Sequence, residues 1–139
     1  MARIKISLPE KKLAEMYIYV RISDINYGNH VGNDSVVGIL HDARMQWLKT
    51  YNYTELNIEG AGLIMSDLAL EFKKESFYGD ELKIEIFAGE ISSKSFELYY
   101  AVSNQENVLI AKAKTGMVCY NYVSKKVVLI PEKLRSILE

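Results

Sequence analysis

Between Asn33 and about Tyr51 apolar residues recur every three or four positions, and this one segment limits what the chain can fold into. Val36, Leu40, Ala43, Trp47 and Tyr51 form the main stripe, Val37 and Leu48 widen it, and Ile39 lies to one side. The spacing predicts a single long helix that is apolar over well over half its circumference. Such a helix has to be wrapped, because one flat sheet would leave part of that surface in water. Asn33 suits the N-cap, since its side-chain oxygen can accept an orphan backbone N–H. Gly38 lies inside the helix at a cost of about 1 kcal/mol relative to Ala, which points to something that must approach the backbone there.

Elsewhere the period is two. Residues 13–23 read as a strand, with Met16, Ile18, Val20 and Ile22 alternating against Tyr17, Tyr19, Arg21 and Ser23. After the helix, residues 52–62 read as a loop. Alternation then returns in Leu68, Leu70 and Phe72, in Leu82 to Ala88, in Phe96 to Val102, and in a long stretch from Val108 to Tyr122. Tyr78-Gly79-Asp80, Ser92-Ser93-Lys94 and Asn104 to Asn107 fall where antiparallel strands need turns. Pro131 fits the first position of a short terminal helix over Glu132 to Leu138. The expected fold is α+β: about five antiparallel strands wrapped around one long central helix, with residues 1–139 as a single domain. A curled sheet leaves edge strands open, and pairing with a second subunit is a common way to cover them, so a homodimer or a tetramer of dimers is expected.

Composition removes several function classes. Seventeen basic against eighteen acidic residues give a net charge of −1 with no basic stripe, which disfavours a nucleic-acid partner. No apolar run approaches the ~20 residues of a membrane span, and the first residues lack the apolar core of a signal peptide, so a cytoplasmic protein without membrane insertion is expected. Cys119, the one cysteine, excludes an internal disulfide and a multi-cysteine metal site. In a period-two strand it reads as a small buried hydrophobe. With only His30 and His41 to draw on, no metal or other cofactor is expected.

Asp24 to Asp34, with the sequence Asp-Ile-Asn-Tyr-Gly-Asn-His-Val-Gly-Asn-Asp, is the candidate site. It sets polar side chains, two glycines and a histidine directly ahead of the long helix. A helix N-terminus leaves about four backbone N–H groups unpaired and carries partial positive charge, so this loop can bind and polarise an acyl oxygen.

At these residues the chain resembles the hotdog-fold acyl-CoA thioesterases of the 4-hydroxybenzoyl-CoA thioesterase family. Their loop pattern Asp-x-Asp-x-x-Gly-His-Val-Asn-Asn is met here by Asp24-x-Asn26-x-x-Asn29-His30-Val31-Gly32-Asn33. Tyr78 to Leu82 resembles the family's Gly-Asp-x-Leu turn, and His41-Asp42-Ala43-Arg44 its acidic-x-Arg pattern in the central helix. The resemblance covers nearly the whole chain in element order. It implies hydrolysis of an acyl-CoA or acyl carrier protein thioester by activated water, with the carbonyl held at the start of the central helix. The family's usual catalytic carboxylate stands where this chain has Asn26, and an amide takes no proton from water at neutral pH. Of the Asp-x-Asn-x-His arrangement of plant acyl carrier protein thioesterases, only His30 is matched.

Backbone N–H groups near Gly32 to Val36 would be the oxyanion donors. Asp34, in the first helical turn, is the first candidate for the base, although an Asp there also serves any helix through the macrodipole. His30 is the second, as base or as holder of the water with Asp34 orienting its ring. Asn26 would orient water or donate to the carbonyl, or else simply make an Asx turn. Tyr27, Gly28, Gly32, Asn33 and Gly38 are expected to contact substrate, and Asp34, Gly38, His41 and Met45 share a second helix stripe. Asp24 reads as a loop cap and Asp67 as a reserve carboxylate. Spacing puts Asp42 on the side of Gln46 and Lys49, a solvated or subunit-facing side. Lys73, Lys74, Lys94, Lys125 and Lys126 could meet carrier phosphates or serve solubility. The competing reading is a non-catalytic hotdog module that binds acyl thioesters.

Overall fold

The computed structural model describes residues 2–139. In chain order the main elements are β1 (Lys11–Tyr19), α1 (Asn33–Lys49), β2 (Gly62–Phe72), β3 (Glu81–Ile91), β4 (Ser95–Ser103) and β5 (Leu109–Asn121). A two-residue β6 (Lys126–Val127) and α2 (Glu132–Leu138) follow. The strands form one antiparallel sheet in the order β1-β3-β4-β5-β2, with β6 on the end of β5. β1 and β2 are therefore its two edges.

Alternation along the central strands decides which face meets the helix. Leu82, Ile84, Ile86 and Ala88 of β3, Phe96, Leu98, Tyr100 and Val102 of β4, and Ala111, Ala113, Thr115, Met117 and Cys119 of β5 are all buried. Against them α1 buries Val36, Ile39, Leu40, Ala43, Trp47 and Leu48. Each full burial of a side chain of this size contributes about 1.5–3 kcal/mol. Leu134 and Leu138 of α2 join the same core, and Arg135 ties that helix to the β3–β4 turn through the Ser92 carbonyl, 2.5 Å away. Gly79, with φ of +86°, supplies the left-handed residue that turns the chain into β3.

Three local expectations need correction. β1 stops at Tyr19, and Ile22, expected on the buried face, is 71% exposed. The chain turns there through a short 3-10 segment, Ile22–Asp24, which the Asp24 carboxylate locks by accepting the Arg21 N–H at 2.8 Å. The N-cap is Gly32, not Asn33: Gly32 is extended and its carbonyl accepts the Val36 N–H at 3.1 Å, which makes Asn33 the first helical residue. The helix ends at Lys49, so Tyr51 leaves the stripe and stacks on Tyr53 with ring centroids 6.1 Å apart.

Candidate active site

The loop ahead of α1 is built by its own backbone. Asn26 N–H donates to the His30 carbonyl at 2.9 Å and Asn29 N–H to the Asn26 carbonyl at 3.1 Å, while Ile25 and Val31 bridge below. Asn29 sits at φ +62°, a left-handed conformation that Asn tolerates better than most residues, which explains Asn at a position where the family pattern has Gly. The Asn26 side chain accepts the Gly28 N–H at 2.9 Å and so makes the Asx turn. Tyr27, at the tip, touches nothing that would shield it from solvent. Asp24 is buried, and its backbone carbonyl accepts the Gly32 N–H at 3.0 Å, so it serves as the loop cap.

These bonds decide which donors remain free at the helix start. Val31 N–H goes to the Ser76 carbonyl at 2.8 Å, Gly32 N–H to Asp24, and Val36 N–H to Gly32. The N–H groups of Asn33, Asp34 and Ser35 are left without an acceptor among the described residues. The available oxyanion donors are thus three, a narrower set than Gly32 to Val36.

Around them stand the expected side chains. A Cβ at Gly28 would lie 3.0 Å from His30 Nε2 and 3.4 Å from Asn26 Oδ1, so the imidazole folds over that glycine. A Cβ at Gly32 would lie 2.7 Å from Asp34 Oδ1 and 3.8 Å from Asn26 Nδ2. Asn26, His30 and Asp34 therefore gather around two positions where a side chain would crowd them. His30 and Asp34 share no hydrogen bond. His30 Nδ1 faces the Val31 carbonyl at 3.1 Å, and Nε2 faces Glu75 Oε1 at 3.9 Å. The imidazole is held at Nδ1 by the Val31 carbonyl and faces Glu75, not the expected Asp34, from Nε2.

A cleft of about 210 Å³ opens beside these groups, lined by His30, Asn33, Val36, Phe72, Lys74 and Glu75 among others. Asp34 stands outside that lining, on the exposed stripe with Gly38 and His41. Glu75 went unnoticed in the sequence because it follows two lysines in what reads as a solvated turn. The Val31–Ser76 hydrogen bond brings it to the site. That turn is itself held by Asp80, which accepts from Ser76 Oγ at 3.0 Å and from the Phe77 N–H at 2.9 Å. Burial alone would raise the Asp80 carboxyl, but hydrogen bonds from Gln105, the Phe77 N–H and Ser76 outweigh it and hold the group below its ordinary value.

Further along the groove between α1 and β2 lies a second cavity of about 330 Å³, with Val37, Leu40, Leu63, Met65 and Leu68 on its walls. Its floor is polar. Arg44, 5% exposed, donates from Nε to Glu55 Oε2 at 2.8 Å and from Nη1 to the Tyr100 hydroxyl at 3.2 Å. Tyr100 in turn shares a hydrogen bond of 2.8 Å with Thr115, and His41 meets the other oxygen of Glu55. Asp42 is exposed and accepts from Gln46 at 3.2 Å, as spacing indicated, whereas nothing in the spacing revealed a buried network around Arg44. Outside its own helical turn, no described residue has an atom within 4 Å of where a Gly38 Cβ would be, so the close approach expected there is not made by the described residues of this chain.

The remaining candidates lie elsewhere. A bulge in β2 turns Asp67 to the outer side of the sheet, where Lys114 at 2.6 Å and the Gly116 N–H at 3.1 Å hold it. Cys119 is buried, and desolvation pushes its thiol up to about 11, which leaves it a packing residue. No helix among the described residues is long and apolar enough to cross a membrane.

Comparison with known proteins adds a family. The model of the thioesterase-like superfamily matches residues 20–138. A 1,4-dihydroxy-2-naphthoyl-CoA hydrolase of Microcystis aeruginosa is 30% identical over 73 residues, which is 52% of this chain and 52% of that protein. A second protein of that name, from Acaryochloris marina, is 31% identical over 67 residues, 47% of this chain and 49% of its own length. The chain thus spans about half the length of the curated relatives it matches. The crystal structure of a 1,4-dihydroxy-2-naphthoyl-CoA thioesterase from Synechocystis superposes with a TM-score of 0.81 at 21% identity, over 89% of this chain and 93% of that one. That likeness establishes the fold as the hotdog arrangement expected from the sequence.

Proposed function

This chain belongs to the thioesterase-like superfamily, and from that premise we propose that it hydrolyses an acyl-CoA thioester to the free acid and CoA. One observation carries the reading: α1 starts with three unpaired N–H groups, and Asn33, the first of these residues, lines the same cleft as an imidazole and a carboxylate. The thioester carbonyl oxygen accepts from the N–H groups of Asn33, Asp34 and Ser35, which gain strength as negative charge develops on it. The 3.9 Å between His30 Nε2 and Glu75 Oε1 exceeds a direct hydrogen bond and suits a shared water. With Nδ1–H directed at the Val31 carbonyl, Nε2 is the nitrogen free to take a proton from that water. The hydroxide equivalent adds to the carbonyl carbon, the tetrahedral intermediate expels the thiolate, and the proton on His30 returns to the sulfur.

Asp34 and Asn26 flank the position that a Cβ on Gly32 would occupy, beside the same helix start. A water arriving there would meet the Asp34 carboxylate, so Asp34 is the alternative base and Asn26 its orienting amide. Of the residues expected to contact substrate, Asn33 lines the cleft while Tyr27, Gly28 and Gly32 do not, and Lys73 and Lys74 line it where the phosphates of CoA, or of an acyl carrier protein's prosthetic arm, would pass.

A second copy of the chain completes the proposal. β2 is an open edge carrying Ile64 and Met65 at 37% and 40% exposure, and the neighbouring helix stripe has its side-chain-free position at Gly38. We take these as the two halves of a homodimer contact. The test of the activity is release of free thiol from purified protein given short-chain, long-chain and aryl acyl-CoAs. No release above background with any of them would refute it. Tight thioester binding without turnover would instead favour the non-catalytic module, a reading supported by Asn26 being engaged in an Asx turn where the family's carboxylate stands.

A further inference from the structure

The two cavities follow one another along α1 and β2, and their chemistry differs. The first is lined by Asn33 and Val36 at the helix start and by Phe72 at the end of β2, whereas the second is lined by Val37, Leu40, Leu63 and Leu68 further along both elements and has the Arg44 guanidinium in its lining. Arg44 spends Nε on Glu55 and Nη1 on Tyr100, while Nη2 has no protein acceptor among the described residues, and Arg44 is one of the residues that line the second cavity. An alkyl end arriving there would desolvate that donor without pairing it, which is the situation a hydrogen-bonding pocket discriminates against most strongly.

Resting on the thioesterase reading above, we propose that the second cavity receives the far end of the acyl group and that Arg44 Nη2 selects acyl groups carrying a neutral oxygen, hydroxyl or keto, at that end. Neutrality follows from the partners already present. Glu55 sits 2.8 Å from the Arg44 Nε, so a carboxylate would be the second acid on one guanidinium. The reach follows from the helix. Nine to eleven residues separate the N–H groups from Arg44, about 15 Å at 1.5 Å each, and a long helical side chain leans back by roughly a turn, leaving about 10 Å. An extended chain of about eight carbons, with bonds of ~1.5 Å in a zigzag, covers that span.

Octanoyl-CoA, 8-hydroxyoctanoyl-CoA and the ω-carboxylated C8 thioester, compared by kcat/KM, test the proposal. The same three as non-hydrolysable ketone analogues of the thioester are compared by calorimetric affinity. The wild-type protein should favour the hydroxylated acyl group at least tenfold over each of the others in both measurements, and Arg44→Met should bring the hydroxyl-to-alkyl ratio close to one. A wild-type ratio within twofold, a preference for the plain or carboxylated chain, or a ratio that survives Arg44→Met would overturn it. Should Arg44→Met not fold, Arg44→Lys, which keeps one donor on a shorter reach, is expected to shrink the ratio, and an unchanged ratio there counts against the proposal. If no thioester releases thiol, the thioesterase reading fails, and the analogue affinities still decide this one.

Discussion

Arg44 on α1 and Tyr100 on β4 meet at 3.2 Å with both side chains closed off from solvent, so the central helix is fastened to the sheet by a polar contact inside an otherwise apolar core. Tyr100 is fully buried, and desolvation pushes its hydroxyl above its ordinary value against the lowering effect of Arg44 and Thr115. The hydroxyl therefore stays neutral, accepting from Arg44 while it bonds with Thr115. Tyr100→Phe keeps the ring and removes both bonds. We expect a loss of about 1–3 kcal/mol in unfolding free energy by urea titration, with a little-changed m-value. An unchanged midpoint would show that the network adds nothing to stability.

The two candidate bases make opposite kinetic predictions. His30→Gln should lower kcat about 100- to 10,000-fold. Glu75→Gln should reduce kcat less, since it removes only the second holder of the water. Asp34→Asn should leave kcat nearly unchanged. If kcat instead collapses in Asp34→Asn and survives in His30→Gln, the proton goes to Asp34.

Acid should loosen the turn that carries Glu75. The folded value of Asp80 lies below the ordinary 3.8, so its stabilising contribution is fully present above about 3.8 and is lost as pH falls through the lower folded value. Asp80→Asn should be less stable than wild type near neutrality and show a flatter decline below pH 4, read from urea midpoints between pH 2.5 and 7. Parallel curves for the two proteins would remove Asp80 from the acid response.

Gly38 separates a lone chain from an assembled one. Within one chain its Cβ has open space, and replacing glycine in a helix gains about 0.5–1 kcal/mol, so Gly38→Lys should fold at least as well as wild type. In a dimer packed on that stripe the new side chain has no room. Light scattering after size exclusion should then give a dimer for wild type and a monomer for Gly38→Lys. A dimer for both would place the contact elsewhere.

The sequence by itself determined the architecture and the placement of a polar loop directly ahead of the central helix. Two periods, 3.6 over one segment and two over five others, leave few ways to bury a helix that is apolar over well over half its circumference. A polar loop before that helix is where unpaired N–H groups must gather. Those are local properties of the backbone and are legible wherever the pattern is strong. The N-cap was misplaced by one residue because Asn33 has the better capping chemistry while Gly32 makes the loop's bond to Asp24.

Only the tertiary structure decided the partners of His30 and Arg44. Glu75 and Tyr100 belong to other elements, and neither position carries a pattern that marks it. The return of β2 to the helix start puts Glu75 beside His30, and the register of β4 and β5 puts Tyr100 and Thr115 side by side beneath Arg44. Hydrophobic burial is nearly non-directional, so it shows in periodicity. A hydrogen-bonded site is set by distances of about 3 Å between residues far apart in the chain, and these exist only once the sheet has closed around the helix.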